Sequence, residues 1–182
     1  MKVLSVNVGL PRLVEYRGEP VATGIFKEPV AGKVKVGELN LEGDRQADLR
    51  VHGGYYKAVY VYPSEHYEFW RGELDERQIP FGMFGENLTT EGLLEPDVKI
   101  GDCFRIGTAE FVVTQPRVPC FKLEIRFNRK DIIRRFARSG RTGFYLAIQK
   151  TGELQVGDSI DFLDSESNQL SIADAAKERL NL

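Results

Sequence analysis

Three features of the 182-residue sequence predict a mainly β protein, a partly closed barrel carrying two or three short helices. Short β-branched and aromatic segments recur between glycines through the first half of the chain. A Gly-Asp pair set between an apolar residue and an alternating strand occurs twice, in Val98–Ile106 and in Leu154–Phe162, as two equivalent rim turns would. Helical periodicity is confined to three short stretches. At this length one domain can bury a self-sufficient core. The expected division is a body over residues 1–165 and a helical tail over 166–182.

The elements follow in order. Lys2–Val8 has strand composition and is closed by Gly9-Leu10-Pro11. Ala22–Phe26, Lys33–Val36 and Leu39–Leu41 read as short strands punctuated by Gly32, Gly37 and Gly43. From Gly43 to Gly54 runs a polar segment rich in both charges, ending in His52-Gly53-Gly54; an ordered loop of this length is more often functional than idle. Lys57–Tyr62 alternates apolar and polar residues as a central strand, and Pro63 ends it. A helix follows with Ser64 as N-cap and Tyr67, Trp70 and Leu74 on one face. His66 has no evident partner and reads as structural. Phe81–Gly92 is a second unusual loop, in which three glycines permit close backbone approach and Glu86-Asn87 and Thr89-Thr90 supply hydrogen-bonding groups. Glu110–Thr114 is a strand leading into the one segment where chemistry collects. Beyond that segment, Asp131–Arg138 suits a helix with Ile132, Ile133 and Phe136 inward and Gly140 as its stop. Phe144–Gln149 is a strand, and from Ser171 the chain turns helical.

Composition bounds the function. Hydrophobic residues make up 42% and charged residues 29%, with a formal net charge of −2, which argues against a general binder of nucleic acid polymers. Two cysteines and no signal peptide point to a reducing cytoplasm, without a disulfide framework. No apolar run approaches the roughly eighteen residues of a membrane span. Two histidines and two cysteines make a structural zinc site unpromising. Phosphate loops, dinucleotide fingerprints and nucleophile elbows do not occur.

The segment of interest is Gln115-Pro116-Arg117-Val118-Pro119-Cys120-Phe121-Lys122. Two prolines in four residues forbid a helix or central strand there, so Cys120 sits on a stiff loop. Arg117 and Lys122 put positive charge beside the thiol, and such charge favours the thiolate, a nucleophile or a soft-metal ligand. The competing reading is a small buried hydrophobe. Cys103, standing in one Gly-Asp echo where Ser159 stands in the other, reads as packing. From Arg117 to Arg141 nine Lys or Arg residues face only Glu124 and Asp131. Arg134, Arg135 and Arg138 belong to the solvated face of a helix. Arg117, Lys122, Arg126 and Arg141 lie in or beside loops, where arginine forks and lysine ammonium groups bind phosphate.

Taken together, His52-Gly53-Gly54…Lys57-Ala58-Val59, Phe84-Gly85-Glu86-Asn87-Leu88, Ile100-Gly101-Asp102, Gln115-Pro116-Arg117…Pro119-Cys120-Phe121-Lys122-Leu123 and Gly140-Arg141-Thr142-Gly143 resemble the MOSC domain family. Gly43-Asp44-Arg45-Gln46-Ala47-Asp48 ahead of His-Gly-Gly, with the Pro-Cys-Phe-Lys-Leu block, is similar to its stand-alone YiiM-like branch. The resemblance runs from about Val3 to Leu163. It implies a MOSC-type β-barrel binding a molybdopterin-type molybdenum cofactor, with Cys120 as metal ligand or sulfur carrier. It further implies an oxidoreductase reducing N-hydroxylated compounds, such as hydroxylaminopurine-type bases, to amines. On this reading Arg117, Lys122 and Arg141 hold the cofactor phosphate, and Lys57 and Asn87 bind the pterin or oxo ligands. His52 supplies a proton, since an imidazole titrates near neutrality. The alternative implied is a carrier of sulfur or of the cofactor through a Cys120 persulfide. Partners expected are a small N-hydroxylated substrate and an electron-donating redox protein. The YiiM-like branch carries a three-helix C-terminal extension, of which residues 166–182 resemble a first helix; its expected roles are partner docking or homodimer formation. Tyr55-Tyr56 departs from the branch, which usually has Pro-Asp there.

Overall fold

The computed structural model describes residues 1–47, 53–165 and 169–181. Lys2–Val8 forms β1 as expected, and a register shift between Val3 and Ser5 lets both Val3 and Val6 reach the core. Arg12–Tyr16 (β2) and Glu19–Thr23 (β3) pair as a separate hairpin, turned by Arg17 and Gly18 at φ 56° and 84°. The strand expected over Ala22–Phe26 therefore ends at Thr23; the chain beyond it leaves the hairpin to enter the body. Glu28–Pro29 (β4) is a two-residue edge. Val34–Val36 (β5) pairs with Gly152–Leu154 (β11) in a small second ribbon. Leu39–Leu41 is a turn closed by a single bridge, Val36 to Leu41, rather than a strand.

Val59–Pro63 (β6), Leu88–Glu91 (β7), Cys103–Ile106 (β8), Ala109–Pro116 (β9), Phe144–Lys150 (β10) and Ile160–Asp164 (β12) complete the main sheet. Its eight strands run β12-β8-β9-β10-β6-β7-β1-β4, and every neighbouring pair is antiparallel except β6 with β7. Close to one edge, β1 donates from Val3 N to Asp158 O (3.0 Å) and accepts at Val3 O from Gly157 N (2.9 Å), in the turn before β12 at the opposite edge. The sheet curls until its ends touch, but among the described residues no continuous ladder closes it. The expected partly closed barrel is thus a curled sheet whose edges meet at a few backbone contacts. The two Gly-Asp turns are equivalent, as anticipated. Asp102 accepts from Lys99 N at 2.7 Å and Asp158 from Gln155 N at 2.8 Å, with Gly101 and Gly157 at φ 88° and 91°.

Strand β6 is buried on both faces, and its two-residue period separates two cores. Val59 and Val61 face an aliphatic core with Val3, Leu88, Phe111 and Leu146. Tyr60 and Tyr62 face an aromatic core with Tyr67, Trp70, Phe84 and Phe136. Helix α1 (His66–Leu74) supplies Tyr67, Trp70 and Leu74 to that core, as the periodicity predicts. Its N-cap is Glu65 rather than Ser64, and no side chain caps it. Lys122–Phe127 (α2) is a helix that was not anticipated, and α3 (Ile132–Ser139) ends at Gly140 in the left-handed region. The tail helix α4 (Ile172–Leu180) docks on the body, burying Ile172, Ala175 and Ala176; Ser171 caps it by accepting from Asp174 N. No helix among the described residues is long and apolar enough to cross a membrane.

In the aromatic core, Tyr62 stacks on Phe84 at 4.4 Å and accepts from Trp70 Nε1 at 2.6 Å. Burial pushes the phenols of Tyr60, Tyr62 and Tyr67 upward, and for Tyr67 the adjoining Glu86 carboxylate adds to it. An unfolded tyrosine ionises near 10. Above that pH the native state retains protons that the unfolded chain has released, so stability falls as pH rises, by up to about 1.4 kcal/mol per unit for each phenol. The expected outcome is an alkaline unfolding transition in which ultraviolet phenolate absorbance from these residues grows in step with loss of structure. Ionisation of all seven tyrosines in the intact fold would contradict this account of the core.

Candidate functional site

Cys120 lies where β9 ends at Pro116 and α2 begins. The prolines stop the strand as predicted, yet the loop is short. The Cys120 carbonyl already accepts from Leu123 N (3.0 Å), opening α2, so Lys122 and Arg126 belong to a helix rather than to a loop. Cys120 is half-buried and lines a cleft together with Lys27, Arg45, Lys57, Arg117, Lys122, Tyr60 and Tyr145. Five cations thus face one thiol, and no carboxylate is among the described lining residues.

Arg117 is buried and held from several sides. Its Nη1 donates to Phe84 O (2.6 Å) and to Tyr60 Oη (3.2 Å), and its guanidinium lies over the Tyr60 and Phe136 rings at 4.6 and 5.4 Å. Burial opposes its charge, but Tyr60, Tyr145 and Cys120 outweigh burial and leave it firmly cationic. Tyr145 is in turn pushed up by burial despite Arg117 beside it.

Lys27 was not singled out from the sequence. It is buried in the cleft wall and ion-paired with Asp44, which is fully buried. Asp44 Oδ1 also accepts from Gly9 N (3.0 Å) and Oδ2 from Asn87 Nδ2 (2.9 Å), so the carboxylate is held on both oxygens. Desolvation lowers the Lys27 ammonium against the pull of Asp44. No local signal pairs residues 27 and 44; only the fold brings them together.

The remaining expected residues divide. Lys57 lines the cleft, although it ends a 3-10 turn (Tyr55–Lys57) rather than opening β6. Asn87 also lines it, but its amide is engaged: Oδ1 accepts from Tyr60 N at 3.0 Å while Nδ2 donates to Asn7 O and Asp44. Arg141 is elsewhere, its guanidinium 3.9 Å from the Phe69 centroid and donating to Ser139 O. What its motif brings to the centre is backbone. The Thr142 carbonyl accepts from Tyr60 Oη at 2.7 Å, and Gly143, at φ 60°, stands where a Cβ would lie 2.3 Å from Val61 O. His52 lies outside the described residues, while Gly53 lines the cleft.

Two of the Phe81–Gly92 glycines are required by close packing, and one of them, Gly85, also lines the cleft. A Cβ at Gly82 would meet Lys27 O at 2.6 Å, and one at Gly85 would meet Ile25 Cγ1 at 2.9 Å. Glu86 points inward and accepts from Gly82 N, Phe84 N, Thr89 Oγ1 and Tyr67 Oη. His66 has the partner that its sequence context hid: Nε2 lies 2.8 Å from Glu95 Oε2, and Glu95 also accepts from Gly143 N. Cys103 is half-buried, with its sulfur 3.6 Å from Gly101 O.

The MOSC domain model matches residues 48–161. A Bacillus subtilis protein described as uncharacterized protein YflK is 44% identical over 170 residues, covering 93% of this chain and 76% of that protein. A Gibberella moniliformis protein named reductase is 34% identical over 165 residues, covering 89% of this chain and 29% of its own length. The crystal structure of YiiM from Geobacillus stearothermophilus superposes with a TM-score of 0.82 at 34% identity, over 98% of this chain and 83% of that one.

Lys27 in the cleft wall and Asp44 behind it form a buried ion pair, which makes it testable through stability. Removing one partner leaves an uncompensated charge, a loss of about 3–5 kcal/mol. Lys27→Met and Asp44→Asn are each expected to lose that much in urea denaturation, and the double variant much less than their sum. Strict additivity would mean that the two groups do not support one another.

Proposed function

Because the chain belongs to the MOSC domain family, we propose that it is a molybdenum-cofactor-dependent reductase of N-hydroxylated compounds, with hydroxylaminopurine-type bases as the substrate class. The observation that carries this reading is Cys120 in a cleft whose described walls hold five cations and no carboxylate. That donor set suits a group combining a soft, sulfur-loving metal with a phosphate: thiolate for the former, ammonium and guanidinium for the latter. Among the described residues no three His, Cys, Asp or Glu converge as a metal site. A metal here would take one ligand from Cys120 and the rest from its own cofactor. The reductase named among the relatives, and the YiiM fold, favour the same class of chemistry.

The balanced reaction is R–NHOH + 2 H⁺ + 2 e⁻ → R–NH₂ + H₂O. The molybdenum cofactor, when bound, supplies the centre that passes the two electrons to the N–O bond. The protein's own part is binding, orientation and proton supply. Lys57 and Lys122 offer point charges to phosphate, and Lys27, fixed by Asp44, extends that field into the cleft wall. Arg117 contributes charge from a fixed position, because Nη1 is committed to Phe84 O and Tyr60 Oη. This keeps the positive field beside Cys120 from relaxing away as charge develops. His52, whose neighbour Gly53 is in the cleft wall, is assigned proton delivery to the departing oxygen.

Expressed in cells that make the cofactor, the wild-type protein is expected to carry molybdenum by elemental mass spectrometry. It should also reduce 6-hydroxylaminopurine with reduced viologen as donor. Cys120→Ala should lose the metal, with turnover falling by more than about 100-fold, the upper range for losing even an indirect metal contact. Retention of both by Cys120→Ala would exclude the reading. An intact mass one sulfur heavier, without turnover, would indicate a persulfide carrier instead.

A further inference from the structure

Away from the cleft, one face of α3 carries charge that the fold leaves unused. Arg134 and Arg138 are exposed and four residues apart, a spacing at which like charges repel and weaken a helix. Among the described residues neither has a hydrogen bond or ion pair. The two nearby carboxylates are already taken: Arg135 donates to Glu73 Oε1 at 2.5 Å and to Asp131 Oδ2 at 2.6 Å, and Arg129 also reaches Asp131. These arginines hold Asp131 down at about 2, so it stays a committed counter-ion. Phe69 lies half-buried in the hollow beside them, with the Arg141 guanidinium over its ring. Arginine around an aromatic floor is the composition of a protein contact rather than of an idle surface. The chain as a whole is slightly acidic, so this face is a local concentration of positive charge.

The same face is joined to the cleft by a run of rings. Phe69 contacts Trp70 at 5.1 Å, Trp70 stacks on Phe136 at 5.9 Å and 11°, and Phe136 lies under Arg117 at 5.4 Å. Arg117 and Cys120 then share the cleft. We propose that the Arg134–Arg138 face docks an acidic electron-carrying protein, whose electrons would reduce the molybdenum cofactor held in the cleft. This rests on the reductase reading, since each N–O cleavage consumes two electrons that must come from outside the chain. With a flavodoxin as donor, two reduced molecules would each lose one electron per product formed. Charge complementarity selects an acidic partner, and docking by exposed charges makes the encounter depend on salt.

The test is titration of the cofactor-loaded protein with a bacterial flavodoxin, followed by fluorescence anisotropy at low and high salt. It is paired with turnover of 6-hydroxylaminopurine using either reduced flavodoxin or reduced viologen. Arg134→Glu/Arg138→Glu is expected to weaken flavodoxin binding at least tenfold and to raise the KM for flavodoxin correspondingly. Turnover with viologen, which needs no docking face, should be unchanged. Equal affinity of the two proteins for flavodoxin would overturn the proposal, as would wild-type binding to anionic vesicles but not to flavodoxin. If neither protein turns over with viologen, the reductase reading fails while the titration still decides the docking face.

Discussion

A buried guanidinium organises the molecule. Arg117 takes the Phe84 carbonyl from the Phe81–Gly92 loop, the Tyr60 hydroxyl from β6 and the Phe136 ring from α3, while its own backbone N–H donates to Gly143 O at 3.2 Å. Four segments distant in sequence are thus referred to one charged group. A buried cation is costly unless it is hydrogen-bonded on most sides. That demand makes the arrangement specific: a loop that moved would strand the charge. To the stiffness expected of the Cys120 segment from its prolines, this residue three positions before the thiol adds its own anchoring.

Around Arg117 the fold repeats one device, a buried charge whose partners are themselves held. Asp44 is fixed by Gly9 N and Asn87 before it meets Lys27, and Asn87 is fixed by Tyr60 N. Glu86 accepts from two backbone amides, a threonine and a tyrosine. The Arg117 and Asp44 networks meet at Tyr60, which bonds both Arg117 and Asn87. Two of the cleft cations, Arg117 and Lys27, are consequently preorganised by interior partners.

What the sequence discloses is what depends on neighbours along the chain. The strand composition of Lys2–Val8, the Ile132–Phe136 face with Gly140 after it, the helix opening at Ser171 and the two Gly-Asp turns are all local statements, and all hold in the structure. The site is half legible. Cys120, Arg117 and Lys122 carry local signs of charge and rigidity, Lys57 is suggested by the family resemblance, and all four line the cleft. Lys27 with Asp44 and His66 with Glu95 are paired across 17 and 29 residues, so no window along the chain contains both members. Arg141 lies away from the cleft lining, whereas Asn87 lines it with its amide already engaged. Their motifs matter through backbone carbonyls and a saturated amide, and a list of side chains does not distinguish those from groups that face a ligand.

The basic stretch from Arg117 to Arg141 looks uniform in sequence but is divided by the aromatic core. Arg117 and Lys122 turn toward the thiol, while Arg134 and Arg138 turn to solvent; Phe136, between the latter two on α3, faces inward beneath Arg117. One helical turn suffices for this, because residue 136 lies roughly opposite both 134 and 138 at about 100° per residue. A single short helix therefore backs the cleft with a ring and shows the surface two charges. Its sequence is constrained from both sides: an apolar residue at 134 or a polar one at 136 would remove one role without replacing the other. That double constraint explains why arginines recur here at a spacing that an isolated helix would disfavour.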